Sequence, residues 1–230
     1  MLELFPAGFE EVERRDGVEL VAYTDASGEE RLWEAFGGAS GSDVAEDWEE
    51  GWRRFHRPVR VGRLWVGPPW EEADADALAI VIDPGCAFGT GAHPTTRLCL
   101  ELLEELEPGS LVDAGCGSGV LAVAAARLGF APVVALDVEQ TAVDATRANA
   151  RANGVEVDAR RLDVLTEPLP DADVTVANIL LGAVEALGPR VRSPLLVASG
   201  YLVSDQPSLP RWRRVERREA AGWAADLFER

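Results

Sequence analysis

Leu111-Val-Asp-Ala-Gly-Cys-Gly-Ser-Gly119 is the stretch of this sequence that decides its fold. It reads as a short apolar strand that runs into a glycine turn, and the helix formers of residues 120–128 follow directly. Glycine suits such a turn because it tolerates left-handed backbone and lets a ligand approach closely. The free N–H groups at the start of the next helix favour an anionic group. The stretch therefore predicts a strand–turn–helix unit that binds a ligand.

The spacing of the glycines separates two classes of ligand. A dinucleotide site needs Gly-x-Gly-x-x-Gly, or alanine at the last position, and Val120 occupies that position here. The spacing Asp-x-Gly-x-Gly-x-Gly instead resembles the first motif of class I methyltransferases, which bind S-adenosylmethionine. Residues 133–137 predict the next strand, and its last residue, Asp137, can accept hydrogen bonds from both hydroxyls of a ribose. The alternative is a strand–turn–helix unit that binds no ligand, but the presence of Asp137 favours a ligand-binding unit.

Composition excludes several classes of protein. The 230 residues are 47% hydrophobic, enough for a packed core, and contain no apolar run long enough to span a membrane. The net charge of −18 argues against direct nucleic-acid binding and permits a basic protein partner, although acidity could also serve solubility alone. Three cysteines without zinc-ligand spacing predict no metal site and a reducing, cytoplasmic environment.

The first quarter of the chain predicts a small, acidic α+β module. Residues 19–24 alternate like a strand, residues 25–28 indicate a turn, and residues 29–36 fit either a second strand or a short helix. Residues 43–56 predict a helix that carries Trp48 and Trp52 on one face. Packing against a neighbouring domain explains this aromatic stripe better than base stacking, because acidic residues surround it.

The remainder predicts alternating strands and helices, and hence a mostly parallel sheet. Residues 58–66 predict one strand within a connector, and residues 77–83 predict a buried strand. A glycine- and threonine-rich loop follows, which we expect to order on ligand binding, and Thr95 or Thr96 can cap a helix over residues 97–107. Residues 212–219 and 223–229 predict a closing hairpin. Polar residues end four predicted strands, at the edge where such sheets bind ligands: Asp113, Asp137, Asp163 and Asn178.

Two further stretches carry a resemblance to a known family. Residues 83–96 read Asp-Pro-Gly-Cys-Ala-Phe-Gly-Thr-Gly-Ala-His-Pro-Thr-Thr, and residues 176–180 read Val-Ala-Asn-Ile-Leu. Together with the glycine turn, they make the chain similar to the PrmA family, the methyltransferases of the eleventh large-subunit ribosomal protein. The resemblance covers residues 47–200. The glycine turn alone indicates only a methyltransferase, whereas the loop of residues 88–96 is far more specific.

The resemblance implies a fold, a reaction and site residues. The expected fold is α/β: a class I methyltransferase Rossmann-like, mostly parallel sheet with a closing antiparallel hairpin, preceded by a small, shortened, ferredoxin-like α+β domain. The expected reaction is trimethylation of lysine side chains and of the N-terminal amine of a basic ribosomal protein, with S-adenosylmethionine as methyl donor. Matching motif positions put cofactor contacts on Thr96, Gly115, Asp137 and Asn178. With the other turn glycines and strand-end acids, the expected cofactor-binding set is Thr96, Asp113, Gly115, Gly117, Gly119, Asp137, Asp163 and Asn178.

The resemblance also suggests three divisions of the chain: a substrate-recognition domain at 1–57, a connector at 58–76 and a catalytic domain at 77–230. Two departures from the family pattern stand out. The segment before Trp48 is shorter than usual, which weakens the inference about the substrate. Residues 205–210 replace the helix that usually precedes the last hairpin. A methyltransferase of another protein or a small molecule, or a cofactor-binding module without activity, therefore stays an alternative.

Two residues are candidates for handling the amine that receives the methyl group. The carbonyl of Asn178 can accept an amine hydrogen and orient the lone pair, which makes Asn178 the expected catalytic residue, although it could simply end its strand. The imidazole of His93 could act as a base because its ordinary pKa is near neutral. The favoured interpretation of His93 is structural, namely that its ring ties down the glycine-rich loop.

Overall fold

The computed structural model describes residues 10–14, 17–21, 32–33, 35–36, 57–83 and 91–230. The chain forms two compact units, residues 1–52 and 53–230. The first contains an antiparallel hairpin of β1 (Glu10–Arg14) and β2 (Gly17–Val21). β1 was not expected from the sequence, whereas β2 overlaps the strand expected over residues 19–24.

Two expectations about this first unit have different outcomes. The described residues of the segment 29–36 are helical, which agrees with the short-helix alternative. The predicted helix over 43–56, with its tryptophan stripe, lies outside the described residues, as do positions 84–90 of the glycine-rich loop. The ferredoxin-like domain and the domain boundaries at 57 and 76 therefore stay predictions.

The second unit begins with a three-stranded sheet. Its strands are β3 (Val59–Val61), β4 (Leu64–Gly67) and β5 (Leu78–Val81), with β4 in the centre. β3 and β4 are antiparallel, and β4 and β5 are parallel. The prediction of a single strand over 58–66 is therefore wrong. Gly62 adopts a left-handed φ of +51° between β3 and β4, and this turn folds the alternating pattern back on itself.

The main sheet has seven strands: β6 (Leu111–Ala114), β7 (Val133–Asp137), β8 (Asp158–Arg161), β9 (Val174–Asn178), β10 (Leu195–Leu202), β11 (Arg213–Ala220) and β12 (Trp223–Glu229). Their order is β11-β12-β10-β9-β6-β7-β8. β8, β7, β6, β9 and β10 are parallel, and β12 is antiparallel to both of its neighbours. The mostly parallel sheet with a closing antiparallel hairpin is thus confirmed.

Four helices in the described part of the second unit pack against the sheet: α1 (Pro94–Glu105), α2 (Val120–Leu128), α3 (Gln140–Ala152) and α4 (Leu181–Leu187). α1, α2, α3 and the three-stranded sheet share one apolar core with one face of the sheet. α4 packs in a second core on the other face. Adjacent strand residues such as Leu111 and Val112 enter opposite cores, because side chains alternate along a strand.

One detail of this unit differs from the sequence prediction, and a second agrees with it. α1 begins at Pro94 and is capped by the side chain of His93, not by Thr95 or Thr96. Proline is favoured in the first helical turn because its missing N–H needs no partner there, which moves the start upstream. Residues 203–212 contain neither helix nor strand, in agreement with the expected loss of the helix before the closing hairpin.

Candidate functional site

The glycine turn between β6 and α2 has the shape that its sequence predicts. Gly115, Gly117 and Gly119 all adopt left-handed φ angles, of +85°, +54° and +80°. At Gly115 a side chain is also excluded by space, because a Cβ would lie 2.5 Å from Cγ2 of Ile179. The amides of Gly115 and Cys116 both donate to the carbonyl of Leu136, at 2.8 and 3.0 Å. The turn is therefore fastened to the end of β7.

Asp137 lies against this turn at the carboxyl end of β7. Its Oδ2 accepts a hydrogen bond from the Gly117 amide at 3.0 Å, and its Oδ1 accepts one from the Glu139 amide at 3.0 Å. The side chain is partly buried. Since each carboxylate oxygen has two acceptor positions, each can take one further donor. The geometry thus brings together the turn and the acid that the sequence assigned to one ligand.

Asp113 occupies a buried position beneath the turn. One of its oxygens accepts a hydrogen bond from the Ala122 amide at 3.1 Å, in the first turn of α2. Burial raises the pKa of Asp113 to about 7; the Ala122 N–H opposes this rise, and the charge of Asp137 adds to it. Its carboxyl group therefore joins β6 to the start of α2, and its predicted contact with a cofactor stays a prediction.

Asn178 and Thr96 meet at the end of β9. Nδ2 of Asn178 donates to Oγ1 of Thr96 at 3.3 Å. Thr96 is buried in the first turn of α1, whereas Asn178 is partly exposed. Ile179, the next residue, packs against Gly115. The Asn178–Thr96 pair and the glycine turn therefore border the same edge of the sheet.

His93 is held in place by two residues, Thr95 and Trp223. Its Nδ1 accepts a hydrogen bond from the Thr95 amide at 3.3 Å and lies 2.7 Å from the Thr95 hydroxyl. Its ring meets the Trp223 ring edge to face, with centroids 4.8 Å apart. Burial lowers the pKa of His93. Because the lone pair of Nδ1 serves the cap of α1, this geometry supports the structural interpretation of His93 over the general base.

Asp163 lies two residues beyond β8, at the same edge of the sheet. Its Oδ1 accepts from the Leu165 amide at 2.9 Å, and its Oδ2 accepts from the Thr166 hydroxyl at 2.8 Å. These bonds hold the pKa of Asp163 below its ordinary value, with the Leu165 amide contributing most. The carboxylate thus stabilises its own turn, and none of these contacts joins it to the other predicted site residues.

Sequence reasoning missed two groups of residues near the site. Trp223 was predicted only as the start of a strand, and its contact with His93 joins segments 130 positions apart in numbering, which no local pattern reveals. Thr146 and Asn149 of α3 contact the glycine turn through its carbonyl groups. Their positions three residues apart on one face of α3 were the available signal.

Two kinds of feature are absent from the described residues. In the part of the chain that the structure describes, no helix is long and apolar enough to cross a membrane. Among the same residues, no group of histidine, cysteine and acidic side chains could hold a metal ion.

Comparison with known proteins gives consistent matches. A sequence model described as ribosomal protein L11 methyltransferase (PrmA) matches residues 18–225. A ribosomal protein L11 methyltransferase from Symbiobacterium thermophilum is 47% identical over 200 residues, which cover 79% of this chain and 65% of the relative. One from Shewanella sediminis is 46% identical over 195 residues, covering 80% of this chain and 62% of the relative. The chain thus spans less than two thirds of the length of these curated relatives.

Solved structures give a match of the same kind. The crystal structure of a ribosomal protein L11 methylase from Lactobacillus delbrueckii subsp. bulgaricus aligns with a TM-score of 0.67 at 27% identity. The alignment covers 76% of this chain and 99% of that one.

Proposed function

Because this chain belongs to the ribosomal protein L11 methyltransferase (PrmA) family, as the resemblance predicted, we propose that it transfers methyl groups from S-adenosylmethionine to amino groups of a basic ribosomal protein. One observation carries the proposal. The glycine turn with Asp137 and the Asn178–Thr96 pair border one edge of the sheet, and Gly115 and Ile179 join them. A site for a nucleoside and a site for an amine can therefore lie side by side.

The residues of the turn fit a nucleoside cofactor. Three left-handed glycines shape the turn, and the carboxylate of Asp137 accepts a hydrogen bond from the Gly117 amide within it. Ribose hydroxyls can donate to the acceptor positions of Asp137 that the Gly117 and Glu139 amides leave open. Thr96, Asp113, Asp163 and the remaining glycines are the further contacts that we propose. When bound, S-adenosylmethionine supplies an electrophilic methyl group on a sulfonium ion.

The chain's own contribution is to orient the amine after it has lost its proton to water. A lysine amine has a pKa near 10.4 in water and must lose a proton before it can attack. With Nδ2 of Asn178 bonded to Thr96, its Oδ1 is the atom that accepts a hydrogen of the incoming amine and aims the lone pair. Positioning of this kind contributes much of the rate of a displacement reaction. Asn178 is therefore the proposed catalytic residue.

The substrate that we propose is a ribosomal protein of the L11 type, methylated on lysine side chains and on its N-terminal amine in the cytoplasm. The supporting observations are the names of the relatives and the net charge of −18, which attracts a basic protein. We propose that residues 1–57 select this substrate and that residues 77–230 transfer the methyl group. Residues 58–76 would connect these two parts.

Two measurements test the proposal in sequence. Isothermal titration with S-adenosylmethionine should give saturable binding, and Asp137→Ala should weaken it. Transfer of labelled methyl groups to a purified L11-type protein should then depend on Asn178. Because the chain contains no lysine, methyl-lysine found after the reaction must come from the substrate. If the chain binds S-adenosylmethionine but does not methylate the L11-type protein, the remaining interpretation is a methyltransferase of another substrate. If the chain does not bind S-adenosylmethionine, the cofactor assignment is refuted.

A further inference from the structure

A buried asparagine of α3 joins the glycine turn to the strand that precedes the glycine-rich loop. Nδ2 of Asn149 donates to the Ser118 carbonyl at 2.8 Å, and its Oδ1 accepts from the Asp83 amide at 3.1 Å. The residue is only 3% exposed. Both ends of its amide are therefore used, and a single side chain spans two segments that are distant in sequence.

Asn153, one turn later on α3, completes a ladder along the edge of β5. Its Oδ1 accepts from the Val81 amide at 2.8 Å, and its Nδ2 donates to the Val81 carbonyl at 2.6 Å. β5 is an outer strand of its sheet, so one edge of its backbone has no strand partner among the described residues. Residues four apart on a helix have nearly the same spacing as residues two apart on a strand. Asn149 and Asn153 thus pair with Asp83 and Val81 as a strand would.

Asn149 differs from Asn153 because it also holds the glycine turn. Thr146, on the same face of α3, lies 3.1 Å from the Gly117 carbonyl, and its side chain packs against Gly119. The carbonyls of Gly117 and Ser118 therefore both face α3. An amide group and its preceding carbonyl are parts of one plane and point in opposite directions. Fixing these carbonyls thus sets the direction of the amides of Ser118 and Gly119.

Resting on the proposed cofactor role of the glycine turn, we propose that Asn149 is a positioning residue for cofactor binding. Its bridge fixes the Ser118 end of the turn relative to β5 and so holds the turn in its ligand-binding shape. Asn153 docks β5 without contacting the turn. Loss of Asn149 therefore lowers affinity for the cofactor, whereas loss of Asn153 lowers stability alone.

The test compares Asn149→Ala with Asn153→Ala in the full chain. Asn149→Ala removes one buried and one part-buried hydrogen bond, Asn153→Ala removes part-buried ones, and both should lower the melting temperature. Asn149→Ala should raise the Kd for S-adenosylmethionine by about tenfold or more, the effect of one lost buried hydrogen bond, and Asn153→Ala by less than about threefold. The KM for S-adenosylmethionine should follow the Kd, while the KM for the protein substrate stays unchanged.

Hydrogen exchange separates this proposal from the proposed function. In protein without ligand, Asn149→Ala should speed exchange at the amides of Gly117, Gly119 and Val120 by about tenfold relative to Asn153→Ala. Equal exchange and equal Kd in the two variants would overturn the proposal. If the wild type fails to bind S-adenosylmethionine, the proposed function fails, while the exchange rates still decide whether Asn149 holds the glycine turn in shape. If either alanine variant does not fold, Asn149→Ser and Asn153→Ser provide the same comparison.

Discussion

Nδ2 of Asn178 donates a hydrogen bond to the Thr96 hydroxyl at 3.3 Å, although 82 positions separate the two residues. The bond joins the end of β9 to the first turn of α1 and orients the Asn178 amide. Asn178→Ala should lower kcat by about a hundredfold, the cost of a misplaced reactant, while the Kd for S-adenosylmethionine changes less. Thr96→Val keeps the Asn178 amide but removes the hydroxyl that orients it, and should lower kcat by about tenfold. Equal kcat in the wild type and Asn178→Ala would contradict the role of Asn178.

Asp137 and Asp163 offer a matched pair of carboxylates at the same edge of the sheet. Asp137→Ala should weaken binding of S-adenosylmethionine by about 1.5–3 kcal/mol, the range for charge-assisted hydrogen bonds. Asp163→Ala should weaken it less, because the Asp163 side chain bonds only within its own turn, whereas Asp137 accepts a hydrogen bond from the Gly117 amide of the glycine turn. Calorimetric titration of both variants measures the difference. A larger loss of affinity in Asp163→Ala would reverse the assignment of the ribose contact.

Alanine substitutions at Gly115 and Gly154 distinguish the effect of backbone strain from that of steric exclusion. Both have left-handed φ angles, of +85° and +63°, but only at Gly115 would a Cβ meet another atom, Cγ2 of Ile179 at 2.5 Å. Gly154→Ala should cost about 1–2 kcal/mol of stability and leave cofactor affinity unchanged. Gly115→Ala should cost more, and should also weaken cofactor binding. Urea unfolding and calorimetric titration of the two variants test this, and equal effects would show that strain alone matters.

Asp113 should make stability depend on pH. Its pKa is raised to about 7 by burial, from about 4 in the unfolded chain. Between these values the folded state holds a proton that the unfolded state has lost. The free energy of unfolding therefore falls as pH rises through this window and levels off above about pH 7. Asp113→Asn keeps an oxygen for the Ala122 amide and should lack this fall.

Urea unfolding at pH 5 and pH 8 measures that difference for both proteins. The wild type should lose more stability than Asp113→Asn between the two pH values, and other titrating groups cancel in the comparison. If stability depends on pH in the same way in both proteins, then Asp113 is ionised in the folded protein over this whole pH range.

Local patterns predicted the parts of this fold that short stretches control. The glycine turn, the acid at the end of β7 and the closing hairpin follow from glycine spacing and residue alternation. The turn at Gly62, the cap by His93 and its contact with Trp223 could not be predicted, because each depends on tertiary packing or on the choice between nearby caps. The two asparagines of α3 looked like ordinary helix residues, and their role depends on where β5 lies.

Mass spectrometry of a purified L11-type ribosomal protein tests the central claim most directly. The protein is incubated with S-adenosylmethionine and this chain, with Asp137→Ala as the control, and the modified residues are located by fragmentation. We predict methyl groups on lysine side chains and on the N-terminal amine of the wild-type product, and few or none in the control. An unmethylated substrate, in the presence of folded chain that binds the cofactor, would contradict the claim.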